Sequence, residues 1–99
     1  MKRVNLMLEI ETWGSVYTRI LEIEDQRVDI DYDSERKIHF VELSDYAIEG
    51  TLDIFYRIKG RDGANEKLKI FVDKEKEPRY EIECTIEGVV GKIRKSLDI

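Results

Sequence analysis

Apolar and polar residues alternate along most of this chain, most clearly in Val4-Leu6-Leu8-Ile10, Val28-Ile30-Tyr32, Leu52-Ile54-Tyr56-Ile58, Leu68-Ile70-Val72 and Tyr80-Ile82-Cys84-Ile86. Successive side chains of a strand point to opposite faces, so a period of two marks a strand with one face buried. Helix signals are nearly absent. The pattern predicts strands over roughly 3–12, 16–24, 27–33, 36–43, 51–59, 66–73, 79–87 and 90–97.

Short turn-forming stretches separate these strands: Trp13-Gly14-Ser15, Glu24-Asp25-Gln26, Asp33-Ser34-Glu35, Gly60 to Asn65, Lys74 to Pro78, and Gly88 with Gly91. Only Ser44 to Gly50 is long enough for an excursion such as a crossover. Short connections favour antiparallel neighbours, which makes a meander of hairpins the expected topology. The expected fold is an all-β, antiparallel, eight-stranded meander closed as a small barrel of the lipocalin-like kind, with a two-sheet β-sandwich as the alternative. At 99 residues the chain reads as a single domain, 1–99, because two halves of it would each be too small to bury a core.

Register can be read from the same alternation. With Val72 opposite Tyr80, Ile70 meets Ile82 and Leu68 meets Cys84 inside, while Lys69 meets Glu83 and Asp73 meets Arg79 outside. A tight Gly88-Val89 turn would place Cys84 opposite Ile93 and Glu83 opposite Arg94. The second strand is ambiguous: Val16-Thr18-Ile20 and Tyr17-Leu21-Ile23 both contain candidates for the inner face, and a bulge would reconcile them.

Composition limits the function. The net charge of −5 and pI near 5.0 disfavour general attraction to nucleic acid or anionic membrane. The longest apolar runs are too short to span a bilayer, and no basic-then-apolar signal opens the chain. The expectation is a cytoplasmic protein with no membrane association, unless a leader has been removed. Cys84, the single cysteine, excludes an intrachain disulfide and reads as a small buried hydrophobe between Ile82 and Ile86.

Catalytic motifs are missing. A nucleophilic thiol needs a nearby base and some exposure, and the only histidine, His39, is distant in sequence and points outward if Ile38 and Phe40 are core. Asp29, Asp31 and Asp33 share the spacing that opens a calcium loop, but the sixth position is Ser34 rather than glycine and the twelfth is Phe40 rather than glutamate. The three aspartates are expected on the outer face of a strand instead. No glycine-rich phosphate loop, nucleophile elbow or C-x-x-C occurs. Paired carboxylates could be drawn from Glu9, Glu11, Glu22, Glu24, Glu81, Glu83 or Glu87, yet 22 acidic residues supply such pairs by chance. No metal, no cofactor and no enzymatic activity are expected.

What departs from the alternation is more informative. Phe55 between Asp53 and Arg57, and Phe71 between Lys69 and Asp73, carry large rings on faces that should be polar. If Ile58 pairs with Leu68, the two rings lie opposite each other, flanked by Arg57, Lys59, Lys67 and Lys69. Met7 and Val41 also fall on nominally outer faces. Trp13 sits in a turn and is expected to plug one end of the fold or to gate a ligand at its mouth.

The reading these residues favour is a non-catalytic protein-interaction domain acting through a sheet face or a strand edge. Its simplest version is a homodimer through Phe55 and Phe71. The alternative is a barrel that holds an apolar small molecule, with Trp13 at the mouth and Tyr32, Tyr56 and Tyr80 supplying hydroxyls to the lumen. A second alternative is weak binding of single-stranded nucleic acid on the basic strip.

Overall fold

A computed structural model describes residues 1–99 and contains nine strands and no helix: β1 (Lys2–Trp13), β2 (Val16–Ile23), β3 (Gln26–Val28), β4 (Asp31–Asp33), β5 (Ile38–Ile48), β6 (Thr51–Gly60), β7 (Asn65–Val72), β8 (Tyr80–Thr85) and β9 (Val90–Asp98). They form two sheets in which every pair is antiparallel. Sheet A has the order β4-β5-β1-β7-β8 and sheet B the order β3-β2-β6-β9. Neither sheet closes on itself, so the expected barrel is corrected and the sandwich describes the architecture better.

The meander also fails, for a reason of geometry. Turns at Gly14-Ser15, Glu49-Gly50, Arg61 to Ala64 and Ile86 to Val89 are short, yet each carries the chain from one sheet to the other rather than to its neighbour in the same sheet. Three of these turns meet at one end of the molecule. There the Arg61 amide donates to the Ser15 carbonyl at 2.9 Å, and the Gly63 amide donates to the Ile86 carbonyl and the Ile86 amide to the Ala64 carbonyl, extending the β7–β8 pairing past Asn65 and Thr85. Close approach requires glycine at Gly60, where a Cβ would lie 2.2 Å from the Ser15 carbonyl oxygen.

The sixth predicted segment, 66–73, is found as expected, and its partner strand holds the predicted faces with a different register. Leu68 stands opposite Ile82, Ile70 opposite Tyr80 and Lys69 opposite Glu81, a slip of two residues that keeps every side chain on its expected side. Strands β8 and β9 do not pair beyond the Glu87–Val90 bridge, because β9 joins β6 instead, so Cys84 does not face Ile93. The predicted excursion at Ser44 to Gly50 is a continuation of β5. It holds a bulge opposite Asn5, whose side chain accepts from the Asp45 amide at 2.9 Å. The bulge expected in β2 lies between Val16 and Thr18 and sends Tyr17 outward. The single strand expected over 27–33 is two short ones, since Asp29-Ile30 steps from sheet B to sheet A.

Twenty buried apolar residues fill the space between the sheets, among them Leu6, Leu8 and Ile10 of β1, Leu21 and Ile23 of β2, Ile54 and Ile58 of β6, and Leu68 and Ile70 of β7. Each fully buried aliphatic side chain contributes roughly 1.5–3 kcal/mol relative to exposure. Val41 belongs to this core, opposite Leu8. His39 points inward as well, opposite Ile10, which corrects the outward placement drawn from Ile38 and Phe40.

Candidate functional site

The interior is apolar except at one end, where four polar residues extend the inward faces of their strands. Thr12 follows Ile10 on β1, Arg19 precedes Leu21 on β2, Tyr56 lies between Ile54 and Ile58 on β6, and Glu66 precedes Leu68 on β7. Glu66 is 0% exposed and is the one charged residue in the core. Its carboxylate accepts from Arg19 Nε at 3.1 and 2.8 Å and from Arg19 Nη2 at 2.6 Å. The Tyr56 and Thr12 hydroxyls donate to the same carboxylate. Burial of a carboxylate is tolerated only with this density of donors, and no buried side-chain polar atom in the molecule lacks a partner.

Arg19 is thereby fixed through Nε and Nη2, with Nη2 also 3.3 Å from Thr12 Oγ1, while its Nη1 donates to no group of the chain. The side chain retains 14% of its exposure. Strand β3 pairs with β2 only over Leu21–Ile23, so the edge of β2 before it is uncovered. Arg19 emerges at that edge between two hollows. One, of about 230 Å³, opens between the sheets and is bounded by Arg19, Arg27, Val28, Asp29, Ile30 and His39. The other, of about 290 Å³, lies on the outer side and is bounded by Thr18, Arg19, Ile20, Arg27, Arg57 and Lys59. Burial, and then the charge of Arg19, hold the His39 imidazole below its ordinary range; its ring lies 4.7 Å from that of Tyr32.

Phe55 and Phe71 are not brought together. They lie on the outer faces of different sheets, because β6 and β7 never pair: Phe55 stands between Glu22 and Arg94, and Phe71 opposite Met7. No single sheet face therefore carries both rings, which corrects the shared docking face expected from the sequence. The basic residues divide in the same way. On sheet A, Lys67 lies between Glu11 and Glu83 and forms an ion pair with Glu83 at 3.8 Å, while Lys69 lies between Glu9 and Glu81 and pairs with Glu11. That ladder is neutralised. Phe71 and Met7, with Leu6, form the apolar part of a groove of about 610 Å³ that Arg36, Glu9, Glu42 and Lys74 also border.

Sheet B is different. Its outer face carries Arg27, Arg57, Lys59, Lys92 and Arg94, and of these only Arg94 has an ion-pair partner, Asp25 at 3.7 Å. Arg57 and Lys92 are direct cross-strand neighbours, an arrangement that costs stability because like charges face each other. Arg94 caps the Phe55 ring at 5.0 Å. Pairing the last strand with β8 sets Arg94 against Glu83 and leaves Lys92 out of the basic strip; the observed β6–β9 ladder instead places both beside Arg57 and Phe55. Arg19 and Glu66 carried a readable signal, since each continues the parity of core residues on its strand.

The remaining predicted residues are dispersed. Trp13 is 49% exposed on the outer face at the end of β1, with Lys67 Nζ 6.0 Å from its ring, and plugs nothing. Tyr32 is 54% exposed, Tyr56 is committed to Glu66, and the Tyr80 hydroxyl donates to the Asp98 carbonyl at 2.5 Å. None of these four borders any of the three hollows. Burial and the neighbouring Glu66 push the Cys84 thiol up to about 11, which keeps it protonated at neutral pH. Asp33 Oδ1 accepts from the Glu35 and Arg36 amides and so caps a turn. No group of three His, Cys, Asp or Glu side chains is placed to hold a metal ion, and no helix is long and apolar enough to cross a membrane. Compared with protein-family models, with curated proteins and with solved structures, the chain matches none.

Proposed function

We propose that this chain is a non-catalytic interaction domain that engages an anionic protein partner through the outer face of sheet B. The observation that carries this reading is the cluster of Arg27, Arg57, Lys59 and Lys92 without carboxylate partners, on a molecule whose net charge is −5. Excess acid elsewhere on the surface could have neutralised these groups, as it does on sheet A, and the sandwich would be more stable for it. Uncompensated charge held against folding stability is a feature of surfaces that meet an opposite charge in a partner.

An apolar ligand inside the fold is supported less well, because the tyrosines proposed for a lumen border no hollow and the inner faces are filled by their own side chains. Single-stranded nucleic acid is also less favoured. The ring available for stacking, Phe55, is covered by Arg94 and bordered by Glu22 and Asp53.

Cross-linking in cells followed by mass spectrometry tests the reading when the wild type is compared with an Arg57→Glu, Lys92→Glu double variant of verified fold. The expected result is one set of protein partners that the variant loses. An unchanged set would refute docking through this face. Sedimentation velocity of the wild type over a concentration series would identify a second copy of the chain as the partner.

A further inference from the structure

Resting on that reading, we infer that the hollow bounded by Thr18, Arg19, Ile20, Arg27, Arg57 and Lys59 is a binding site for a phosphate monoester dianion, presented by a phosphorylated side chain of the partner. The register brings its parts together. Thr18 stands opposite Lys59 and Ile20 opposite Arg57 on the outer face of β2 and β6, where directly paired residues have Cβ atoms about 4.5–5.5 Å apart. Arg27 reaches over from β3, and Arg19 enters at the uncovered edge of β2.

Two features separate this hollow from an ordinary basic surface. The first is preorganisation. Glu66 and Thr12 hold three donor positions of the Arg19 guanidinium in the interior, so this part of the wall is fixed before a ligand arrives and loses little side-chain entropy on binding. The second is the charge count. Glu66 neutralises Arg19, whereas Arg27, Arg57 and Lys59 have no ion-pair partner; the nearest acid on that face, Glu22, lies opposite Arg27 and outside the hollow. A carboxylate would answer one of three positive charges with two oxygens. A phosphate monoester brings a charge of about −1.5 to −2 and three acceptor oxygens, which suits the three cations and the Thr18 hydroxyl.

The site can be tested by NMR titration of the isotopically labelled full chain with four probes: a phosphoserine peptide, the same peptide unphosphorylated, inorganic phosphate and an oligothymidylate. The expected result is saturable shifts at Thr18, Arg19, Arg27, Arg57 and Lys59 with the phosphopeptide and, more weakly, with inorganic phosphate. Arg27→Gln and Lys59→Gln, both at exposed positions, should each weaken phosphopeptide affinity by about tenfold, whereas Lys76→Gln on the opposite face should leave it unchanged. Equal affinity for inorganic phosphate and the phosphopeptide would keep the site and overturn the partner as the source of its phosphate. Equal binding of the unphosphorylated peptide would overturn the phosphate inference and leave protein docking intact. Oligothymidylate binding centred on Phe55, Lys92 and Arg94 would overturn both. Absence of shifts with any probe would overturn the phosphate site, while the cross-linking comparison judges the docking face separately.

Discussion

Replacing Glu66 by leucine removes the one acceptor that Arg19, Tyr56 and Thr12 share, and leaves a guanidinium facing the core with no counter-charge. Breaking one side of a buried pair costs about 3–5 kcal/mol, and urea unfolding of Glu66→Leu should show a loss of that order. Adding Arg19→Met and Tyr56→Phe should restore a large part of it, since the penalty comes from unsatisfied donors rather than from lost attraction. A triple variant as unstable as the single one would refute this account. A second residue-scale effect is expected at high pH. The folded-state thiol of Cys84 titrates at about 11 against an ordinary value of 9.0, so the folded chain holds a proton that the unfolded chain has already released. Stability is fully present below pH 9 and falls as pH rises from 9 to 11, by a few kcal/mol at most. Burial pushes the Tyr56 phenol up as well, adding loss of the same sign above pH 10. Cys84→Ala should remove the earlier part of the decline in urea midpoints and leave the later part.

At the scale of strands, Arg57 on β6 and Lys92 on β9 set the clearest opposition between folding and function. Lys92→Glu turns a repulsive cross-strand pair into an attractive one, for which thermal unfolding should show a gain of roughly 0.2–1 kcal/mol. The same change should weaken partner binding, the trade expected where charge is kept for recognition. Strands were legible in the sequence because a half-buried strand repeats every two residues, and that repeat survives any choice of neighbour. Neighbours were not legible. Leu68 paired with Cys84 and Leu68 paired with Ile82 satisfy the same faces, and Ile54 packs inward whether β6 lies beside β7 or β9. The Phe55–Phe71 pair was lost to this ambiguity. The cluster around Glu66 was within reach: Thr12, Arg19, Tyr56 and Glu66 each hold a position of core parity, and polar residues at such positions mark a place where strands must converge to satisfy one another.

Taken whole, the sandwich is open along one side. Strands β8 and β9 leave the turn at Gly88-Val89 side by side, but after the Glu87–Val90 bridge they share no ladder, and each is the free edge of its own sheet. On the far side of that gap the two sheets are joined by the Tyr80 hydroxyl, which donates to the Asp98 carbonyl, and Lys2 Nζ donates to the Ile99 carbonyl at 3.1 Å close by. Tyr80→Phe keeps the ring and removes only the bridge, at a cost of about 0.5–1.5 kcal/mol. The loss should be local, because β9 remains paired with β6 from Val90 to Asp98 and the β1–β5 and β1–β7 ladders lie at the centre of the other sheet. Hydrogen exchange should therefore quicken in the last residues of β9 and in Tyr80 to Ile82, with no change in Leu6 to Ile10. A uniform increase across both sheets would mean that the two edges are sealed by the core alone and that the tyrosine bridge does not govern the opening.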